Sequence, residues 1–211
     1  MNLLTDKAFE LSKTGIFTYS DVLVWLEGTR SAIKNQIKRA IASGEILHIR
    51  RGLYCLAPKY NKYGISRNVL ANLIYGPSYV SMEAALAFHG WIPEAVHSVT
   101  SVSLSRAKSF ETPVGFFDYV QVAQNAMYAG VESVENENVA FMVAKPLKAI
   151  TDYIVSHKFD WIGSEPLEDS LRIDIENLES LNSGDFEELE FVYKSARARK
   201  FLAGLKKELA K

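Results

Sequence analysis

Between Thr29 and Gly52 lie the residues of this chain whose chemistry is most legible. Ser31, Lys34, Asn35 and Lys38 recur at intervals of three and four, Arg39 stands on their flank, and Arg50-Arg51-Gly52 follows between two β-prone runs. Lysine and arginine at such spacing can neutralise phosphates, and a serine hydroxyl or an asparagine amide among them can read a base edge. Two arginines beside glycine, which bends without steric cost, suit a hairpin tip that grips phosphates or enters a narrow minor groove. Ser31, Lys34, Asn35, Lys38, Arg39, Arg50 and Arg51 are therefore the candidate DNA contacts.

These side chains need elements to carry them. Ala32, Ile33, Ile37, Ala40 and Ile41 repeat at helical spacing opposite the polar set, which predicts a helix from about Thr29 to Ser43. Thr29 is its expected N-cap, and Ser43-Gly44 its stop. Upstream, Thr18 and Asp21 have the spacing of a capping box, Phe17 and Val22 that of a hydrophobic staple, and Val22, Leu23, Trp25 and Leu26 supply an apolar face. Gly28 breaks this pattern where two helices must turn. Downstream, Ile46, Leu47 and Ile49, then Leu53, Tyr54 and Leu56, read as two strands around the arginines. Helix, glycine turn, basic helix and Arg-Gly hairpin are the elements of a winged helix-turn-helix, in order.

The chain has 211 residues, 48% hydrophobic and 23% charged, enough for one large domain or two small ones. Its net charge of -1 conceals a division. Met1 to Leu70 carries 11 Lys+Arg against 5 Asp+Glu, a net of +6, and Ala71 to Lys211 carries 13 against 20, a net of -7. The N-terminal part can therefore face nucleic acid while the remainder serves another purpose. No apolar run is long enough to span a membrane, and MNLLTDKAFELSK reads as an amphipathic helix rather than a signal peptide, so a cytoplasmic protein with no membrane partner is expected. Cys55 is the single cysteine; without a partner for a disulfide or a thiolate metal site, it reads as a small core hydrophobe.

Pro58 to Ser66 is rich in turn residues and lysine, which divides the chain into a winged helix-turn-helix at 1–58, a linker at 59–66 and an α+β domain at 67–211. In the last, helices are expected over Asn68 to Tyr75 and after Ser81, which reads as an N-cap with Gly90 past the helix end. Strands are expected over Val96 to Leu104, Gly115 to Val122 and Val139 to Val143, in a small sheet of three or more. Pro146 opens a helix striped with Leu147, Ile150, Tyr153 and Ile154, and two more follow at about Pro166 to Leu181 and Asp185 to Leu209. Strands then helices give an α+β class overall.

Enzyme chemistry finds thin support. His48, His89, His97 and His157 are scattered without an HExxH-like pair, so neither a metal nor a cofactor is expected. Ser81, Glu83 and His89 lie two and eight positions apart on one short helix, a spacing that brings no three side chains to one point. Glu165, Glu168, Asp169, Asp174 and Glu176 decorate an amphipathic pattern marked by Leu167, Leu171, Ile175 and Leu178, and read as a solvated or partner-facing surface.

Two segments, YVSMEAALAFHGWIP from Tyr79 and IRRGLYCLAP from Ile49, resemble the AbiEi-type antitoxins, transcriptional regulators of type IV toxin–antitoxin and phage abortive-infection loci. The shared features are an arginine-glycine-hydrophobic-tyrosine strand at the wing, a serine-led S-x-E-x-A-L-x-x-H-G helix, and Val- and Thr-bearing strands after it. The likeness is firm over about Ile16 to Thr100 and rests on layout alone beyond Lys145. It implies a cytoplasmic bacterial repressor that binds its own operator in double-stranded DNA and antagonises a nucleotidyltransferase-like toxin, with or without touching it. It also implies DNA contact by the basic helix face and by Arg50 and Arg51. Ser81, Glu83, His89 and Gly90 inherit a motif position and no chemistry. The alternative is a stand-alone winged-helix transcription factor whose second domain senses a ligand or assembles protomers.

Overall fold

A computed structural model describes residues 2–62, 64–136 and 139–210. It is a mixed α+β structure with a three-stranded sheet early in the chain, a six-stranded sheet in the remainder and helices at the C-terminal end. The first part contains α1 (Leu3–Leu11), β1 (Ile16–Thr18), α2 (Tyr19–Trp25), α3 (Arg30–Ala42), β2 (Ile46–Arg50) and β3 (Leu53–Leu56).

Each of these helices starts where a side chain can satisfy a free backbone N–H. Asn2 accepts from the Leu4 amide at 3.2 Å. Thr18 and Asp21 cap reciprocally: the Thr18 amide donates to Asp21 Oδ2 at 2.7 Å, and the Asp21 amide to Thr18 Oγ1 at 3.2 Å. Thr29 Oγ1 accepts from the Ala32 amide at 3.3 Å. Between α2 and α3, Gly28 takes a φ of +124°, a conformation that side-chain-bearing residues rarely adopt. This lets α3 leave at a new angle.

The strands β1, β3 and β2 form an antiparallel sheet in that order, and its two faces belong to different cores. Phe17, Ile46, Tyr54 and Leu56 pack with Leu4, Val22, Ile33 and Ile37 from the three helices. Ile49, Leu53 and Cys55 point the other way and join the larger core of the second part. Period-two alternation produces this division, since successive strand residues face opposite sides. All four residues of β3 are buried as a result.

After a 3-10 turn at Pro58–Tyr60, the chain forms α4 (Arg67–Ile74), β4 (Ser78–Val80), α5 (Met82–Phe88), β5 (Ser98–Ser103), β6 (Lys108–Thr112), β7 (Gly115–Gln121), β8 (Val131–Asn136), β9 (Val139–Ala144) and α6 (Pro146–His157). The sheet order is β6-β7-β5-β4-β9-β8, with β5–β7 and β4–β9 parallel and the other pairs antiparallel. It thus adds β4, β6 and β8 to the strands the sequence suggested. The two long C-terminal helices expected from sequence are four: α7 (Glu165–Leu171), α8 (Ile175–Glu179), α9 (Ser183–Leu189) and α10 (Ala196–Leu209). Arg172, at φ +55°, ends α7 in the left-handed conformation, and Asn182 with Asp185 builds a fresh capping box for α9. Tyr193 then pairs with Gln124 through an isolated antiparallel bridge, which holds the segment before α10 against the sheet region. The central helix α6 packs against α5, α9, α10 and β9, and buries Lys148, Thr151 and Asp152 along with its apolar residues.

Candidate nucleic-acid interface

The α3 stripe of Ile33, Ile37 and Ala40 is buried, which turns Ser31, Lys34, Asn35, Lys38 and Arg39 outward, and all five are exposed. Lys34 and Lys38 stand one turn apart, with Ser31 and Asn35 beside them. Among the described residues no carboxylate forms an ion pair with Lys34, Lys38, Arg39, Arg50 or Arg51. The two arginines are placed differently. Arg51 is exposed in the turn with Gly52 (φ +78°), whereas Arg50 is half-buried opposite Leu53, just past a register shift after His48. Arg50 bears on Tyr119 of β7: burial pushes the Tyr119 hydroxyl up, and the nearby guanidinium partly opposes that.

A cleft of about 450 Å³ separates α3 from the β2–β3 hairpin. Lys34 and Lys38 line it from the helix, His48 and Arg51 from the hairpin, and Tyr19 from the start of α2, over a floor that includes Ile37 and Tyr54. The Tyr19 amide donates to the Gly52 carbonyl at 2.9 Å, tying the hairpin turn to α2. Tyr54 in turn stacks with Phe17 at 5.8 Å between ring centroids and tilts against His48 at 5.5 Å. Of the candidates read from sequence, the cleft gathers Lys34, Lys38 and Arg51; Ser31, Asn35 and Arg39 lie elsewhere on α3, and Arg50 lies toward the second sheet. Tyr19 and His48 were not among the candidate contacts read from sequence. His48 had a signal, since it alternates with Leu47 and Ile49 and so projects from the β2 face opposite theirs. Tyr19 had none, because only the closing of the hairpin onto α2 brings it there.

The other residues singled out from sequence lie outside this cleft. Ser81 occupies the N-cap position of α5, but its hydroxyl makes no cap bond; it donates instead to Asp152 Oδ2 at 2.8 Å. The burial of Asp152 explains this correction, because a buried carboxylate requires donors. Tyr79 and Tyr193 supply two more at 2.8 and 2.7 Å, and Lys148 Nζ lies 3.2 Å from Asp152 Oδ1, 2.6 Å from Gln124 Oε1 and 2.9 Å from the Tyr193 hydroxyl. Lys148 and Asp152 are both 0% exposed, so no solute meets them. Glu83 is half-buried on α5, while His89 ends that helix with Nε2 at 2.9 Å from the Ala144 carbonyl oxygen, away from the Ser81–Asp152 contact. No family model matches this chain, and no curated protein does. Glu165, Glu168, Asp169, Asp174 and Glu176 are exposed on and around α7 and α8. Among the described residues, no cluster of His, Cys, Asp and Glu could hold a metal ion, and no helix is long and apolar enough to cross a membrane.

Proposed function

We propose that this chain is a double-stranded-DNA-binding transcriptional repressor in which α2 and α3 form a helix-turn-helix and the β2–β3 hairpin is its wing. One observation carries the reading: Ser31, Lys34, Asn35, Lys38 and Arg39 are all exposed on α3, its cations have no carboxylate partner among the described residues, and Lys34 and Lys38 face Arg51 across the cleft. Cations left unpaired on one face are available to displace the counterions of a nucleic-acid backbone, and a helix bearing Asn and Ser between them can read base edges in the major groove. The resemblance to AbiEi-type antitoxins extends the proposal. The protein represses its own operon, and its acidic second part antagonises a nucleotidyltransferase-like toxin made beside it.

Binding of the full chain to the DNA upstream of its own gene, followed by fluorescence anisotropy over a range of salt, tests the first half. Affinity falls linearly on a log–log plot as salt rises; absence of binding at low salt refutes the reading. Co-expression with the adjacent open reading frame tests the second half. The full chain rescues growth, and a Lys34→Gln/Lys38→Gln variant that no longer represses still rescues. Loss of rescue in that variant refutes a separate role for the acidic part.

A further inference from the structure

We propose that the cleft between α3 and the hairpin is the seat of one backbone phosphate of the bound duplex, held by Lys34, Lys38 and Arg51 with the Tyr19 hydroxyl as its neutral donor; this rests on the DNA-binding reading above and specifies one contact within it. Three cations from two different elements converge on a space of about 450 Å³, and no carboxylate lines it. The ammonium and guanidinium groups are donors only, so a ligand rich in acceptors matches them. A phosphate offers acceptors alone and carries the compensating negative charge, which the neutral acceptor pair on a guanine edge does not.

A second, independent observation points to the same ligand. The Tyr19 hydroxyl, on a residue that lines the cleft, is shielded from solvent and has no hydrogen-bond partner among the described residues. Shielded polar groups are nearly always partnered, and one left open beside unpaired cations marks where an acceptor belongs. Lys34, Lys38 and Arg51 are long and form no ion pair among the described residues, so their heads can part around an entering anion. The bond from the Tyr19 amide to the Gly52 carbonyl ties the hairpin turn to the start of α2, so Arg51 and Tyr19 are placed together before the ligand arrives.

The test is binding of the full chain to a random-sequence duplex, because a phosphate contact carries no sequence information. Tyr19→Phe keeps the ring and removes one donor: it weakens binding to every sequence about five- to tenfold and leaves the salt dependence unchanged, since no charge is lost. Arg51→Gln also weakens binding and lowers the log–log salt slope by about one. Duplexes of the sequence upstream of the chain's own gene, on which the bound register is fixed, carrying a single neutral methylphosphonate at successive positions, then locate the contact. At one backbone position the difference between wild type and Tyr19→Phe vanishes. If wild type binds and Tyr19→Phe binds equally well, the phosphate seat is overturned while the DNA-binding reading stands. A difference that persists at every methylphosphonate position overturns the seat in the same way. A wild-type chain that binds no duplex overturns both. Should circular dichroism show Tyr19→Phe misfolded, Arg51→Gln at the exposed turn carries the same methylphosphonate comparison.

Discussion

Replacing Lys148 by methionine and Asp152 by asparagine separates the two charges of the buried network. Lys148→Met removes three ammonium contacts, to Gln124, Tyr193 and Asp152, but leaves the carboxylate with the hydroxyls of Tyr79, Ser81 and Tyr193. Breaking a buried ion pair costs about 3–5 kcal/mol, and three remaining donors place this variant near the lower end. Asp152→Asn instead strands an ammonium whose pKa burial already lowers and which then loses the opposing charge of Asp152. Its cost is expected near the upper end at pH 7, about 5 kcal/mol. A lysine can escape by losing its proton. With the folded pKa below the unfolded value of 10.5, the unfolded chain binds more protons in that window, so stability rises with pH. The Asp152→Asn deficit therefore shrinks between pH 7 and pH 9, and the Lys148→Met deficit does not. The double variant, with both charges gone, is less destabilised than the sum of the singles by more than about 1 kcal/mol. Urea unfolding followed by tryptophan fluorescence measures all four states. Deficits below about 1 kcal/mol for both singles, or an Asp152→Asn deficit that grows with pH, would refute the argument.

Asn35→Ala weakens operator binding by about 1–3 kcal/mol and relaxes preference at one base pair, measured by anisotropy on a set of single-base operator variants. Gly28→Ala destabilises by about 1–3 kcal/mol through backbone strain, because the added Cβ meets only Ala32 Cβ, at 3.9 Å, and so no clash contributes; thermal unfolding reads the loss. Burial pushes the Cys55 thiol from its ordinary 9.0 up to about 12, so the folded protein resists iodoacetamide at pH 8 while the urea-unfolded chain is alkylated. The same raised pKa gives stability that is complete below pH 9 and declines above it by up to about 1.4 kcal/mol per pH unit, reinforced above pH 10 by Tyr79 and Tyr193, whose hydroxyls burial holds up. Lys148 acts in the opposite sense below 10.5, so the decline is read from urea midpoints at pH 10.5 and above.

What the sequence disclosed follows the range of the forces involved. The limits of α3 were legible because its cap bond spans three residues and its buried stripe repeats every turn, and the capping box at Thr18 is equally local. The six-stranded sheet was less so. The three residues of β4 are all buried, which erases alternation, and β6 is a mostly exposed edge strand with Lys108 and Glu111 among its five residues. The breaks among the C-terminal helices lacked the usual glycine, since α7 ends on Arg172. Lys148 and Asp152, four apart on a helix, have the spacing of an ordinary surface pair. Only the arrival of Tyr193 from the far end of the chain, with β4 beneath, makes them interior. Ser81 was recognised by position and misread by partner for the same reason.

The small sheet imposes a rule on inheritance. Along β3, Leu53 and Cys55 must suit one core while Tyr54 and Leu56 must suit another, so neighbouring positions answer to different neighbours. Each substitution there is judged by the half of the molecule it faces, and the strand can change freely toward neither. The half that carries α3 is therefore no cassette to be cut out and joined to another effector: severing it would lay bare Ile49, Leu53 and Cys55 on one side and their former companions on the other. A lineage carrying this chain can retune the outward side chains of α3 one at a time, but it must pass on both halves as a single unit.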